Sequence, residues 1–443
     1  MSLGLYIHIP FCRSKCPYCD FYSIAGADEK MKKRYIGALT EEIRKTAEFF
    51  AAGGKEGLRL GKSPVTSIYF GGGTPSLLDR EDFTEIFSAI SDTFGEECLK
   101  EAEITIEVNP GTAMERGKPV GKPAGEPNPV DEDNPADEPA PLEKLRMLAE
   151  LPFNRISIGV QSFDDDILKK LGRIHSSEDC SRIIGDSRAA GFSNISIDLM
   201  FGMEWQTFDV WMDSVKKAVE LKPEHISLYS LEIVPGTEFS RRLDAGRMGE
   251  NDPEVDRHMY EEAIARLTAA GYEQYEISNF AYAGENAVAG SVAEPRAEAS
   301  HQGKDYRSKH NLKYWGLEEY IGYGAGAHSY VLNLLTGKGR RYYHERDIES
   351  YIEEPEKVVF SEENEYADDI QEYTITALRL SEGIDKRGFF EKFGVEFWEF
   401  YGDVIRLEFN SFVETGYAEE DEDRIRLTVA GFNVSNRILA LFV

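Results

Sequence analysis

Six strand-like runs alternate with helix-like stretches over the first half of this chain, and this alternation limits the possible folds more than any other feature. The runs, rich in β-branched residues, cover residues 5–9, 67–70, 103–108, 155–159, 194–199 and 224–229. Helices are predicted at 32–50, 80–94 and 177–190, with Gly191 as the C-cap of the last. The alternation predicts an α/β fold with a parallel sheet, either a partial barrel or an open sheet, that binds ligands at the carboxyl ends of its strands.

The length and charge of the chain predict two domains. With 443 residues, the chain is longer than a single core usually supports. We expect a main domain over residues 1–343 and a smaller, mainly helical domain over 344–443, with 367–380 as an amphipathic helix. Residues 345–443 carry 25 acidic and 10 basic side chains, whereas the whole chain has a net charge of −30.

Two segments interrupt the alternation of strands and helices. Residues 115–141 contain seven prolines and almost no large apolar residue, and residues 284–305 are rich in alanine, glycine, glutamate and serine. Such composition does not bury enough apolar surface to form a core. Both segments are predicted to be disordered insertions.

Composition also limits the classes of binding partner and the cellular location that we expect. A net charge of −30 argues against nucleic acid and against anionic membranes, because both attract basic surfaces. No apolar run approaches the roughly 20 residues that a membrane-spanning helix needs. The N-terminus enters a strand without a basic region, so we expect no signal peptide. We expect a cytoplasmic protein without a transmembrane segment.

Three of the five cysteines, Cys12, Cys16 and Cys19, follow the first strand directly with the spacing C-x3-C-x2-C. Crowded cysteines in a cytosolic protein indicate a metal site, and a short segment can wrap three thiolates around one face of a [4Fe–4S] cluster. Protein clusters usually have four cysteine ligands, so three leave one iron open. The alternative is a zinc site with His8 as the fourth ligand. The isolated Cys98 and Cys180 are interpreted as core residues.

Polar residues and glycines stand at the ends of the following strands. They are Gly71-Gly72-Gly73-Thr74-Pro75, Glu107, Gln161 and Asp198, with Arg173 further along the chain. Glycines let the backbone approach a ligand closely, although a tight turn would also explain them. Carboxylates can accept ribose hydroxyl or ammonium protons, and an arginine can pair with a carboxylate. Each residue alone also fits a structural role as a cap, a turn or a surface side chain.

The motifs resemble the oxygen-independent coproporphyrinogen III oxidase group of radical S-adenosylmethionine (SAM) proteins, and most closely its branch of HemW-type haem chaperones. The resemblance extends from residue 5 to the C-terminus, apart from the two insertions. It rests on Tyr6-Ile7-His8-Ile9-Pro10-Phe11-Cys12, Tyr69-Phe70-Gly71-Gly72-Gly73-Thr74-Pro75, Arg155-Ile156-Ser157-Ile158-Gly159-Val160-Gln161-Ser162-Phe163, Asp198-Leu199-Met200-Phe201-Gly202 and Tyr275-Glu276-Ile277-Ser278-Asn279-Phe280.

The resemblance implies a partial parallel (β/α)6 barrel with a smaller C-terminal domain like that of HemN. It also implies a [4Fe–4S] cluster on Cys12, Cys16 and Cys19, whose open iron binds SAM. The residues that it places around SAM are Tyr6, Tyr18, Gly72, Gly73, Thr74, Glu107, Gln161, Arg173 and Asp198. One departure from the family pattern is Glu204, which stands where a proline is usual and could alter the loop near the ribose.

Two functions follow from the resemblance. The chain could bind haem and transfer it to an acceptor protein, in which case His310, Tyr314 and Trp315 would contact haem, with His328 as a weaker candidate. The alternative is an enzyme that oxidatively decarboxylates coproporphyrinogen III to protoporphyrinogen IX. That enzyme has a fourth cysteine two positions after the third, where this chain has Phe21. The haem-chaperone function is therefore favoured.

Overall fold

A computed structural model describes residues 2–51, 63–113, 140–284, 304–333, 335–361 and 363–443. The predicted insertions at 115–141 and 284–305 lie almost entirely outside these ranges. Only residues 140–141, 284 and 304–305 of the two segments are described.

Twelve of the described strands form one main sheet, in the order β14-β13-β12-β11-β1-β4-β5-β6-β7-β8-β10-β9. Their bounds are β1 Leu3–Ile9, β4 Val65–Gly72, β5 Glu103–Val108, β6 Arg155–Gln161, β7 Ile195–Phe201, β8 His225–Ser230, β9 Tyr272–Gln274, β10 Asn279–Tyr282, β11 Tyr320–Tyr323, β12 His328–Leu332, β13 Gly339–Tyr343 and β14 Val359–Phe360. A separate pair is formed by β2 Phe11–Cys12 and β3 Ile24–Ala25.

The six predicted strands are β1, β4, β5, β6, β7 and β8, and they pair in parallel in this order. Their predicted bounds agree with the structure to within two residues. The fold class, a partial radical SAM barrel with a smaller C-terminal region, is confirmed. The strands that extend the sheet on both sides of these six were not predicted.

Helices connect the central strands and cover the outer face of the sheet. Their bounds are α1 Glu29–Ala51, α2 Arg80–Phe94, α3 Glu97–Glu101, α4 Pro110–Ala113, α5 Ala140–Ala149, α6 Asp165–Lys170, α7 Ser177–Ala190, α8 Phe208–Leu221, α9 Glu238–Asp244, α10 Pro253–Ala269, α11 Lys309–Trp315, α12 Ile348–Glu353, α13 Tyr366–Ala377, α14 Lys386–Phe393, α15 Phe397–Glu414, α16 Val429–Phe432 and α17 Ser435–Leu439. The outward side chains of the strands, such as Leu5, Ile68 and Ile106, are fully buried in the core.

Two predicted helices have the same bounds in the structure because strong local signals fix their ends. Asp79 and Ser176 form capping boxes at the starts of α2 and α7. At the end of α7, Gly191 adopts the left-handed conformation with φ of 114°. Glycine takes this conformation without a steric penalty.

The C-terminal region combines helices α13–α17 with a three-stranded sheet, β15 Ile384–Asp385, β17 Arg424–Leu427 and β16 Ala418–Glu420. The predicted helix at 367–380 is α13, which ends three residues earlier. β14 still pairs with β13, so the main sheet extends beyond residue 344, and the domain boundary at 343/344 remains a prediction. Among the described residues, no helix has both the length and the apolar character needed to cross a membrane.

Candidate cofactor site

The cysteine loop, residues 12–23, is held at its start by the backbone of two strands. Cys12 ends β2, which pairs with β3. The end of β4 supports the same segment from the other side, because Gly73 N donates to Ile9 O at 2.9 Å and Thr74 N donates to Phe11 O at 2.8 Å. The carboxyl ends of β1 and β4 therefore fix where the loop begins.

All three cysteines of the loop are half-buried free thiols. Burial raises the pKa of Cys19 to about 11 and also raises that of Cys12, and in both cases the charge of neighbouring cysteines adds to the shift. Two polar groups face the sulfurs. Thr74 Oγ1 lies 3.7 Å from Cys12 Sγ, and Arg173 Nη1 lies 3.6 Å from Cys16 Sγ. The loop thus gathers three sulfur ligands in a polar setting.

The geometry bears on the zinc alternative. Within the described ranges, no three His, Cys, Asp or Glu side chains converge closely enough to hold a single metal ion. His8, the fourth ligand in the zinc alternative, is also engaged, with Nδ1 3.1 Å from Tyr6 Oη and Nε2 3.0 Å from Tyr22 O. Burial lowers the pKa of His8 to about 4.

The glycine run is required by contacts within the protein. A Cβ at Gly72, where φ is 105°, would lie 2.3 Å from the His8 ring, and one at Gly73 would lie 2.7 Å from the carbonyl oxygens of Ile9 and Phe11. No side chain fits at these distances. Gly72 therefore lets β4 approach the His8 ring on β1, and Gly73 lets it approach the backbone that leads into the cysteine loop. Gly72 N also donates to Glu107 Oε2 at 3.1 Å.

Two carboxyl groups, Glu107 on β5 and Asp198 on β7, lie on the inner face of the barrel. Burial raises the pKa of Glu107 to about 7, and the charge of Asp198 adds to this shift. Burial likewise raises the pKa of Asp198 to about 6, although a hydrogen bond from Ser227 opposes the shift. Tyr69 Oη donates to Glu107 Oε1 at 2.8 Å. A ligand that offers hydroxyl or ammonium protons would stabilise the ionised form of both groups.

Gln161 ends β6 in the left-handed region, with φ of 68°. Few non-glycine residues adopt this conformation, and those that do often belong to functional sites. The Nη2 atom of Arg173 donates to Gly159 O at 2.6 Å and to Asn109 Oδ1 at 2.5 Å, whereas its buried Nε has no hydrogen-bond partner. A buried guanidinium nitrogen without a partner fits an absent carboxylate ligand.

The two tyrosines predicted near SAM differ in depth. Tyr18 lies beside the cysteines, where its hydroxyl accepts a bond of 3.4 Å from Arg173 Nη1 and its ring packs 6.2 Å from that of Phe239. Burial raises the pKa of Tyr18. Tyr6 lies deeper on the inner face, stacked against Tyr69 at 6.3 Å. Seven of the other predicted residues join Tyr18 at the carboxyl ends of the strands: Gly72, Gly73, Thr74, Glu107, Gln161, Arg173 and Asp198.

A cleft of ≈ 520 Å³ opens beside the cysteine loop. Cys16, Cys19, Arg241 and Arg346 are among the residues that line it. The volume lies in the range of small-molecule sites. Phe21 projects from this loop with 63% of its surface exposed.

The segment predicted to contact haem lies at the opposite end of the barrel. His310, on α11, is buried against the start of β4, with Nδ1 3.0 Å from Ser67 Oγ and Nε2 2.9 Å from Tyr314 Oη. Burial lowers the pKa of His310 to about 3. Ser67 and Gly72 are five residues apart, about 16 Å along the strand. In this arrangement both ring nitrogens of His310 are used within the protein.

The third predicted haem residue and the weaker histidine candidate lie in different surroundings. Trp315 is half-buried, with Arg379 over its ring at 5.0 Å and with an indole nitrogen that has no hydrogen-bond partner. His328 is exposed at the start of β12, and its ring stacks on Tyr343 at 5.1 Å. Burial and the charge of Arg346 lower the pKa of His328.

Two groups in the site were not predicted. Asn109 holds Arg173, and Ser227 on β8 holds Asp198. Asn109 could have been found because it follows the end of β5, two residues after Glu107. Ser227 could not, because its role depends on the register of β7 against β8, in which it pairs with Asp198.

Comparison with known proteins places the chain in a family. Residues 6–218 match the model of the radical SAM superfamily, and residues 367–434 match the HemN C-terminal domain. The chain is 32% identical to Heme chaperone HemW from Bacillus subtilis, over 99% of this chain and 98% of that relative. It is also 32% identical to Heme chaperone HemW from Escherichia coli, over 100% of this chain and 98% of that relative.

The chain belongs to the HemW family of radical SAM proteins. The family implies SAM and a [4Fe–4S] cluster as cofactors, and the three thiols, the partnerless Arg173 nitrogen and the two carboxyl groups fit such ligands. The solved structure of coproporphyrinogen III oxidase (HemN) from Escherichia coli superimposes with a TM-score of 0.72 at 22% identity, covering 100% of this chain and 90% of that one. At this identity, the likeness concerns the fold.

Proposed function

We propose that this chain binds haem and transfers it to an acceptor protein. The observation that carries the proposal is the similarity over essentially the whole chain to two relatives named Heme chaperone HemW. Phe21 supports it from within the sequence, because the dehydrogenase of the wider group is expected to have a cysteine at this position. A cytoplasmic location, expected from the sequence, belongs to the same proposal.

The proposed cluster ligands are Cys12, Cys16 and Cys19. When bound, a [4Fe–4S] cluster with an open iron binds SAM and supplies the electron for radical chemistry. The fixed start of the cysteine loop sets where the thiols stand relative to Arg173, which contributes positive charge 3.6 Å from Cys16. Thiolates are the form of cysteine that binds iron, and this guanidinium would lie beside one of them.

The rest of the proposed SAM site consists of groups that lack a full set of partners. Arg173 Nε would receive the carboxylate of the ligand, because it is buried without an acceptor. In their ionised form, Glu107 and Asp198 would accept hydroxyl or ammonium protons from the ligand, which would offset the burial that raises the pKa of each in the free protein. Tyr18 would cover the ligand next to the cysteines.

The haem-contacting role of His310, Tyr314 and Trp315 remains a prediction. His310 could bind iron only after it leaves Ser67 or Tyr314, since these residues engage both its ring nitrogens. The proposal that haem binds to the chain does not depend on this segment alone.

Anaerobic reconstitution of the full chain tests the proposal in two steps. We expect about four irons per chain, an electron paramagnetic resonance signal that changes when SAM is added, and no cluster in the Cys12→Ala variant. The matched control is Cys98→Ala, which removes a thiol outside the loop and should keep the iron content. The loaded protein is then titrated with haem and mixed with an apo-haemoprotein, and transfer is followed by absorption.

The rival function is tested with the same preparation. Incubation with coproporphyrinogen III and SAM, followed by porphyrin chromatography, should give no protoporphyrinogen IX above the cluster-free variant. Robust formation of that product, or a failure of the chain to bind haem at all, would contradict the proposal.

A further inference from the structure

Glu107 is held through both of its carboxyl oxygens. Tyr69 Oη donates to Oε1 at 2.8 Å, and Gly72 N donates to Oε2 at 3.1 Å. A carboxylate offers about four acceptor positions, so each oxygen can still accept a proton from a ligand. The two bonds therefore fix the orientation of the group and leave it able to bind.

The contact between Tyr69 and Glu107 crosses from β4 to β5 on the inner face of the barrel. Strand register pairs Tyr69 with Thr105, and Glu107 lies two residues further along β5. Residues two positions apart on a strand share a face, so Glu107 is the diagonal neighbour of Tyr69. A diagonal neighbour lies within reach of an aromatic side chain.

The ring of Tyr69 packs against two other rings, which limits the directions in which its hydroxyl can point. Tyr6 on β1 stacks on it with the ring centroids 6.3 Å apart and the planes at 26°. His310 on α11 stacks on it at 5.2 Å, also at 26°. Burial raises the pKa of Tyr69 well above its usual value, so the hydroxyl keeps the proton that it donates.

Gly71 leaves the room that the contact between Tyr69 and Glu107 needs. It lies two residues after Tyr69 on β4 and shares the inner face. A Cβ at Gly71 would lie 2.8 Å from Cε1 of the Tyr69 ring and 3.0 Å from Glu107 Oε1. A side chain at this position would therefore displace one of the two partners.

We propose that Tyr69 is a positioning residue for SAM binding: its hydroxyl holds the Glu107 carboxylate in the orientation that receives the ligand, and Gly71 provides the space for this contact. The inference rests on the proposed SAM site, in which Glu107 accepts hydroxyl or ammonium protons. Tyr69 acts through Glu107 and does not need to touch the ligand. Without its hydroxyl, Oε1 would lose a hydrogen bond that offsets the burial of the carboxylate.

The Tyr69 hydroxyl also favours the ionised form of Glu107, which makes its role visible in a pH profile. Burial raises the pKa of Glu107 to about 7, the bond from Tyr69 opposes this shift, and the charge of Asp198 adds to it. Asp198 itself titrates with a pKa of about 6, but it does so in the unchanged chain and in a Tyr69 variant alike. Within the described residues, the other ionisable side chains near Glu107 are tyrosines whose pKa burial raises, so they stay neutral up to pH 9: Tyr6, Tyr229 and Tyr314.

Titration of the cluster-loaded full chain with SAM, followed by the electron paramagnetic resonance signal of the reduced cluster, tests the proposal. We expect Tyr69→Phe to weaken SAM binding about five- to tenfold at pH 7. The factor should fall as the pH rises to 9, where Glu107 is ionised in both proteins. Gly71→Ala should weaken binding at least as much. The matched control is Tyr272→Phe on β9, the edge strand of the main sheet, which removes a buried hydroxyl that donates to Pro223 O at 2.6 Å. It should bind SAM as the unchanged chain does.

The outcomes separate this inference from the site on which it rests. If Tyr69→Phe binds SAM at pH 7 with the affinity of the unchanged chain, Tyr69 does not position Glu107, and the proposed SAM site stands. A loss of the same size at pH 7 and pH 9 would also contradict the inference, because the hydroxyl would then not act through Glu107. If SAM leaves the signal of the unchanged chain unaltered, the proposed SAM site itself fails.

Discussion

Arg173 at the carboxyl end of the barrel and His310 at the amino end differ in how their nitrogens are engaged. At the carboxyl end, Gln161 has a left-handed backbone, Arg173 Nε lacks a partner and two carboxyl groups share one buried face. At the amino end, His310 has a partner for each nitrogen, and Glu103 accepts a bond of 2.9 Å from Lys309 N.

This difference distinguishes a residue that can bind a ligand from one that supports the fold. Buried polar groups in proteins are almost always paired, so the unpaired Arg173 Nε beside the cysteines fits a missing ligand, whereas the paired nitrogens of His310 hold α11 against β4. The carboxyl end of the barrel, where the cysteine loop lies, is thus suited to ligand binding. At the amino end, the contacts of His310 join α11 to β4. Three substitutions test the comparison.

The largest effect is expected at the amino end. His310→Ala removes two hydrogen bonds, leaves Ser67 and Tyr314 without a partner and opens a cavity beside Tyr69. We expect the free energy of unfolding to fall by about 2–4 kcal/mol, measured by urea denaturation. The exposed His258→Ala should change it by less than about 0.5 kcal/mol. A loss below about 1 kcal/mol at His310 would show that its contacts do not support the fold.

A smaller effect is expected where β4 meets the cysteine loop. Gly73→Ala places a Cβ 2.7 Å from two backbone oxygens, so we expect a loss of about 1–3 kcal/mol in the free energy of unfolding. Iron content after reconstitution should fall as well. The control is Gly185→Ala on α7, where the added Cβ meets nothing within 4 Å and should stabilise the helix by about 0.5–1 kcal/mol. Normal iron content in Gly73→Ala would mean that the loop tolerates displacement.

The smallest effect is a pH-dependent change in the free energy of unfolding, caused by two carboxyl groups at the carboxyl end of the barrel. The folded pKa of Asp198 is about 6 and that of Glu107 about 7, each raised by burial. Carboxyl groups whose pKa is raised in the folded state stabilise the fold at low pH. This contribution is lost as pH rises from about 4 to about 7. In the cofactor-free protein, Asp198→Asn should therefore gain about 1–2 kcal/mol at pH 8 and little at pH 4. Urea titrations at both pH values measure the change in the free energy of unfolding. An equal change at pH 4 and pH 8 would contradict the prediction.

The sequence was most informative where signals are local. The strand at Glu103–Val108 and the helices at Arg80–Phe94 and Ser177–Ala190 were predicted with the observed bounds, because capping residues and apolar runs mark them. Cys98 and Cys180 are buried, as predicted. The short strands β9–β14 were missed, since two to five residues carry no periodicity and their partners are distant in the chain.

The site was predictable in part for the same reason. Glu107, Gln161 and Asp198 follow strand ends, and parallel strands bring such positions to one edge. The depth of Tyr6, the pairing of His310 with Ser67 and the exposure of His328 depend on contacts between residues hundreds of positions apart. Sequence patterns do not encode these distances.

The anchoring of the cysteine loop has a consequence for the timing of synthesis. The three cysteines precede the backbone groups of Gly73 and Thr74, which hold the loop, so they are synthesised before the groups that anchor them. Arg173, which faces Cys16, is 157 residues further on, which corresponds to roughly 8–30 s of translation. During that interval the nascent chain carries three unsupported thiols. Iron is therefore best loaded after the segment that carries Arg173 has been made, and the thiols must stay reduced until then.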